Sequence, residues 1–192
     1  MAFIFHRLCL IAAFALVLAG MPPASQAETY GEFAEGLLRS LPDGARFRPD
    51  LEAVIAGLAN RYRAGEGKAP LESSSLFRNA ARAHAADMMV NGFVGHRAST
   101  GHNFDSRMRV FAGDVTRFPA MAENAARAGG KGTANAAKAR RLFQQWIGSA
   151  SHRRTLLRRD YHYVASGVVE RDGELWAVQI FWATPRQKGM FQ

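Results

Sequence analysis

The stretch NGFVGHRASTGHNFDSRM, Asn91 to Met108, carries two histidines. An imidazole titrates near neutrality and can serve as acid, base or metal ligand. A separation of six sets His96 and His102 far apart around a helix, and Ser99, Thr100 and Gly101 between them signal a loop, so they are not expected to form a local pair. In GSASHRR, Ser149 and His152 stand three residues apart, and a helix would bring hydroxyl and imidazole to one face, as a serine nucleophile and its base require. No third residue is visible to orient that base, and no oxyanion hole can be placed. His84, on the apolar side of a helical stretch, reads as a core-edge histidine hydrogen-bonded within the fold. The chain has no HExxH, CxxC, phosphate loop or GxSxG elbow. Any site must therefore be assembled from distant segments.

Several helical stretches could do the positioning. In GEFAEGLLRSL, Phe33, Leu37, Leu38 and Leu41 share one helical side before a Pro42-Asp43-Gly44 turn, forming a lead-in expected to lie on the domain. After Pro49-Asp50, Leu51, Val54, Ile55, Leu58 and Tyr62 recur at helical spacing until Gly65-Glu66-Gly67 ends the run. A second strong helix is expected from the Ser73–Ser75 cluster, a ready N-cap, to Asn91-Gly92, with Leu76, Ala80 and Ala83 on its apolar face. A short helix over Phe104–Phe111 follows. After the flexible AGGKGT, another presents Ala139, Leu142, Phe143 and Trp146 on one side.

The period then changes. VASGVVERDGELWAVQIFWATP contains two strand-like runs around Asp172-Gly173, a dipeptide that favours a type I′ hairpin. Trp176, Val178, Ile180 and Trp182 line one face of the second run, and Leu175, Ala177, Gln179 and Phe181 the other. Both faces are mainly apolar, so covering elements are needed on both. A further strand runs through AMAENAA, entered by Pro119. The expected architecture is α+β, a three-layer α-β-α sandwich with a small, mainly antiparallel sheet. The three tryptophans, Trp146, Trp176 and Trp182, read as core.

Residues 1–27 have the parts of a secretory signal: Arg7, an apolar run from Leu8 to Gly20, a Pro-Pro break, and small Ser25 and Ala27 before a cleavage point at Glu28. The apolar run is shorter than the roughly 20 residues a spanning helix needs. The expected location is secreted or periplasmic. The one cysteine, Cys9, lies in that leader, so no disulfide or thiolate metal site is expected in the exported protein, whose remaining 165 residues suit one domain. The net charge of +9 is uneven: Arg107 to Arg159 holds twelve Lys and Arg against Asp114 and Glu123 alone. Lys138, Arg140, Arg141, Arg153, Arg154, Arg158 and Arg159 are uninterrupted by an acid, which favours anionic lipid or an envelope polymer as partner. Nucleic acid is disfavoured, because no aromatics are spaced through the basic region and the leader points to export.

Six segments, in order, resemble the CAP superfamily (cysteine-rich secretory proteins, antigen 5 and pathogenesis-related proteins), in its bacterial SCP-domain branch. They are LANRYRAGEGKAPL, with Asn60, Arg63, Pro70 and Leu71; ARAHAADMMVNGFVGH; NFDSRM; AENAA; QQWIGSASHRRTLL; and SGVV with LWAVQIF. The resemblance runs from about Leu51 to Thr184 and implies the same sandwich. The resulting division is a signal peptide (1–27), a lead-in (28–49), the CAP domain (50–185) and a tail (186–192). It also implies a cleft lined by two histidines and acids, which in some members binds a divalent metal. Residue by residue, His96, Glu123 and His152 match that cleft and are the expected ligands of zinc or another divalent ion. Ser149 stands where many members have a second acid, and Ala122 where the family has glycine before Glu-Asn. The function implied is ligand binding in the cleft. The alternative is a metal-assisted hydrolase acting on an envelope polymer, peptide or phosphodiester.

Overall fold

The computed structural model describes residues 29–130 and 132–185. The expected signal (1–27) and tail (186–192) lie outside the described residues. The lead-in forms α1 (Tyr30–Arg39), opened by a capping box in which the Glu32 backbone N–H donates to Thr29 Oγ1 and the Glu32 carboxylate accepts from the Thr29 backbone. It also contributes a strand, β1 (Arg46–Phe47). Then come α2 (Pro49–Gly65), β2 (Glu72–Ser73), α3 (Arg78–Val90), α4 (Phe104–Ala112), β3 (Met121–Ala128), α5 (Ala136–Gly148), α6 (Ala150–Leu157), β4 (Tyr163–Arg171) and β5 (Glu174–Trp182).

The sheet order is β1-β4-β5-β3, with β2 beside β4 on the same outer edge as β1. All pairings are antiparallel except β2 with β4. β4 and β5 close a two-residue turn, and positive φ at both Asp172 (51°) and Gly173 (76°) is what a type I′ turn demands. Lys138 of α5 is buried, and its ammonium donates to the carbonyls of Gly130, Gly132 and Gly173, tying the glycine-rich loop to the hairpin tip. It is thus removed from the basic surface to which its sequence neighbours assign it.

The two faces of β5 divide as the alternation requires. Leu175, Ala177 and Phe181 join Leu51, Ile55, Leu142, Phe143 and Trp146 under α2, α5 and α6. Trp176, Val178, Ile180 and Trp182 join Phe77, Ala81, Met88 and Met108 under α3 and α4. All three tryptophans are buried, each a burial whose truncation costs on the order of 3–5 kcal/mol. On the second face α3 lies directly on β4: a Cβ at Gly167 would overlap the Ala81 carbonyl carbon and the Arg82 nitrogen, so only glycine permits that approach.

One helix start differs from expectation. The serine cluster does not cap α3, because Ser73 is drawn into the parallel bridge to Val164 and the Ser74 N–H bonds the Val164 carbonyl. α3 opens at Arg78 behind Phe77 without a side-chain cap, and Leu76 is left exposed.

Two polar side chains, half-buried Asn60 and buried Arg63, lock the helix ends. Asn60 exchanges two hydrogen bonds of 2.8 Å with the Leu71 backbone. The Arg63 guanidinium donates to the carbonyls of Ala69, Leu156 and Arg158, satisfying the end of α6, whose carbonyls have no intrahelical donors.

Candidate functional site

The candidate cleft lies along β3, the last strand in the order of the described sheet. Glu123 and Asn124 are consecutive there, so their side chains leave opposite faces of the sheet. Glu123 enters the α3/α4 side and is buried. Its Oε1 accepts a 3.0 Å hydrogen bond from His96 Nδ1, presented by the loop after α3. Asn124 enters the α5/α6 side and donates from Nδ2 to the His152 carbonyl at 3.2 Å, near the start of α6. The His96 and His152 rings stand 6.3 Å apart between centroids, inclined at 65°. Ala122, in place of the expected glycine, sits in regular strand with no positive φ, so the local backbone needs no glycine.

Arg107 of α4 sets the charge of the site. It is fully buried, and its Nη2 donates to both Glu123 oxygens and to the His96 carbonyl, each at 2.9 Å. One cation therefore neutralises the carboxylate and fixes the loop that carries His96. Burial alone would raise the Glu123 pKa, but Arg107 and the His96 hydrogen bond outweigh it and hold the carboxyl below its ordinary range. The hydrogen bond to Glu123 raises the His96 pKa against the effect of burial. The His152 pKa is lowered, first by burial and then by His96.

His84 is wholly buried and donates from Nε2 to the Gly95 carbonyl at 2.7 Å, which places the proton on that nitrogen. Burial lowers its pKa, so its 3.8 Å approach to Glu123 is that of a neutral ring and not an ion pair. It positions the backbone just before His96. His102 lies elsewhere, bonded to Thr100 Oγ1 and set against the Tyr30 ring at 5.4 Å. Ser149 ends α5 and precedes α6, where its hydroxyl meets that of Ser151 at 3.1 Å and makes no hydrogen bond with His152.

Arg107 is the participant whose role sequence reasoning missed. Its signal was position: with Phe104, Met108 and Phe111 it occupies the apolar stripe of a short helix, where a charged side chain needs a buried partner.

As a set of metal donors the residues divide. Both Glu123 oxygens are taken by Arg107, and one also by His96. Among the described residues no group of three His, Cys, Asp or Glu is arranged to hold an ion. The two imidazoles are left as the candidate donors, and Glu123 stands where an outer carboxylate would orient His96 if that ring bound an ion.

The profile of the CAP family, described as the cysteine-rich secretory protein family, matches residues 57–181. The uncharacterized protein YkwD of Bacillus subtilis is 29% identical over 129 residues, which are 67% of this chain and 46% of YkwD, so the chain spans about half the length of that relative. An outer surface protein of Borrelia burgdorferi superposes with a TM-score of 0.61 at 16% identity, over 73% of this chain and 98% of that one. An extracellular protein containing an SCP domain from Bacillus anthracis superposes at 0.58 with 21% identity, over 72% of this chain and 45% of that one. These structures share the fold.

Proposed function

The chain belongs to the CAP, or cysteine-rich secretory protein, family, and we propose that it is an exported ligand-binding protein whose working surface is the cleft between His96 and His152. The observation that carries this reading is the opposition of the two rings, one of them held in place by a buried, charge-neutralised carboxylate. The His96 side chain is 55% exposed while Glu123 is 2% exposed, so the imidazole meets the ligand and the carboxylate holds the imidazole. A divalent ion such as zinc would be held by His96 and His152 and would supply a Lewis acid to the ligand. Glu123 then acts through His96 and not as a third ligand.

Export is supported by the leader-like first 27 residues and by the extracellular SCP-domain relative. No described helix is long and apolar enough to cross a membrane. Less supports the hydrolase alternative: a general base must be free to take a proton, and Glu123 is held as an anion by Arg107. Calorimetry with zinc tests the cleft. Binding should be lost in His96→Ala and in His152→Ala and retained in His102→Ala. Zinc binding equal in all four proteins would overturn the metal role, and chelator-sensitive turnover that disappears in Glu123→Gln would replace ligand binding with hydrolysis.

A further inference from the structure

The edge of the sheet opposite the cleft contains a second candidate. β2 covers β4 at Tyr163 and Val164, and β1 covers it at Val169 and Glu170, leaving an uncovered interval between them. In an antiparallel ladder alternate residues turn their backbone groups away from the partner strand. On this outer side the Val164 carbonyl accepts from Ser74 N, the Val168 carbonyl accepts from Arg48 N, and Val168 N donates to Glu52 Oε1. Ser166 lies midway in the same phase. Its N–H and C=O therefore face outward, and no described residue pairs with them. Val164 to Val168 is four residues of extended chain, about 13 Å.

That interval opens into a cavity of about 300 Å³ lined by Ala53 and Ala56 of α2, Ser73 and Ser74, Arg78 and Arg82 of α3, and Ser166. Glu52 and Arg82 form one wall, paired through Nε and Nη2 at 2.7 and 2.8 Å, which leaves Arg82 Nη1 over. Arg78, one turn earlier and beside β2, is exposed, and among the described residues its guanidinium has no partner. The cavity thus combines an unpaired peptide donor and acceptor, small apolar walls and an uncommitted guanidinium at the β2 end.

We propose that this cavity binds the C-terminal end of a short peptide, with the N–H and C=O of one peptide residue pairing with the C=O and N–H of Ser166 as an added piece of strand and the terminal carboxylate on Arg78. A simple anion would meet the guanidinium but leave the Ser166 carbonyl unpaired. A peptide acid satisfies both. β1 and β2 block either end of the interval, so a long strand cannot add and the ligand is about two residues. The site is separate from the histidine cleft and does not depend on that reading.

The test is a titration of the ¹⁵N-labelled protein with N-acetyl-alanyl-alanine, its C-terminal amide, and acetate, followed by amide shifts. The expected result is a saturable shift centred on Ser166 and Ser74 with the peptide acid. Affinity should fall about tenfold or more with the amide, and likewise in Arg78→Gln, because each removes one charge-assisted hydrogen bond. Arg78 is exposed, so that variant should otherwise keep the parent spectrum. The proposal is overturned if Ser166 does not move at millimolar peptide acid, if acetate binds as well as the peptide, or if Arg78→Gln binds unchanged.

Discussion

Glu123 and Asn124 are neighbours on β3 and each holds one side of the cleft, Glu123 through the His96 ring at 3.0 Å and Asn124 through the His152 backbone at 3.2 Å. Because a strand sends consecutive side chains to opposite faces, a two-residue motif couples the α3/α4 layer to the α5/α6 layer. Replacing Asn124 by Ala should loosen α6 without dissolving the fold. The loss of one buried hydrogen bond costs about 1–2 kcal/mol. Hydrogen exchange should show faster exchange at Arg153–Leu157 while α3 stays protected, and equal protection in both proteins would show that Asn124 does not anchor α6.

Removing the charge of Glu123 should be costly in a different way. Arg107 is wholly buried and would lose its counter-ion in Glu123→Ala, and stripping one partner from a buried pair costs about 3–5 kcal/mol. The double variant Glu123→Gln with Arg107→Met, which buries no charge, should recover much of that loss in urea melts. A double variant as unstable as Glu123→Ala would mean that the penalty comes from packing.

Gly167→Ala should be among the most destabilising single changes in the sheet. The added methyl meets the α3 backbone at Ala81 and Arg82, which cannot move aside as a side-chain tip can. A loss of about 3 kcal/mol or more is expected by chemical denaturation. A loss under about 1 kcal/mol would show that α3 shifts without cost.

Much of this was legible in the sequence where the pattern was long. The nine residues of β5 alternate cleanly enough to assign both faces, and Asp172-Gly173 marks its own turn. β1 and β2, at two residues each, are too short to carry a period, and only their pairing with β4 reveals them. The histidines of the cleft were found through family resemblance, since neither helical spacing nor a local motif links His96 to His152. Arg107 and Lys138 were masked for one physical reason: each is a cation on a buried stripe, and composition counts it as surface.

The basic surface therefore consists of Arg140, Arg141, Arg153, Arg154, Arg158 and Arg159, all exposed, without Lys138. Retention on anionic vesicles should exceed that on neutral ones at low salt and fall by about 0.5 M salt, because screening lengths are about 10 Å at 0.1 M. Arg140→Gln with Arg141→Gln removes the exposed charge of α5 and should weaken retention without changing the melting temperature. Equal retention on both vesicle types would assign these arginines to solvation alone.

The cleft histidines should titrate in a fixed order in metal-free protein. His96, bonded to Glu123, has a raised pKa, whereas His152 and His84 are depressed, both first by burial. A histidine with a raised folded pKa contributes stability that is complete below the ordinary value near 6.5 and disappears as pH rises through the raised value. Those with depressed values act oppositely, because the unfolded chain binds their protons more readily and stability falls as pH drops from about 6.5 through the lowered values. Thermal melts should therefore weaken on the acid side through His84 and His152, and on the alkaline side through His96. Glu123→Gln removes the negative charge of the acceptor that raises the His96 pKa, so its NMR titration should move to lower pH and the alkaline decline should flatten. Zinc affinity should weaken as pH falls through the histidine range, since a protonated imidazole has no lone pair to give. If His96 titrates below His152 in the wild-type protein, Glu123 does not hold it in the manner described.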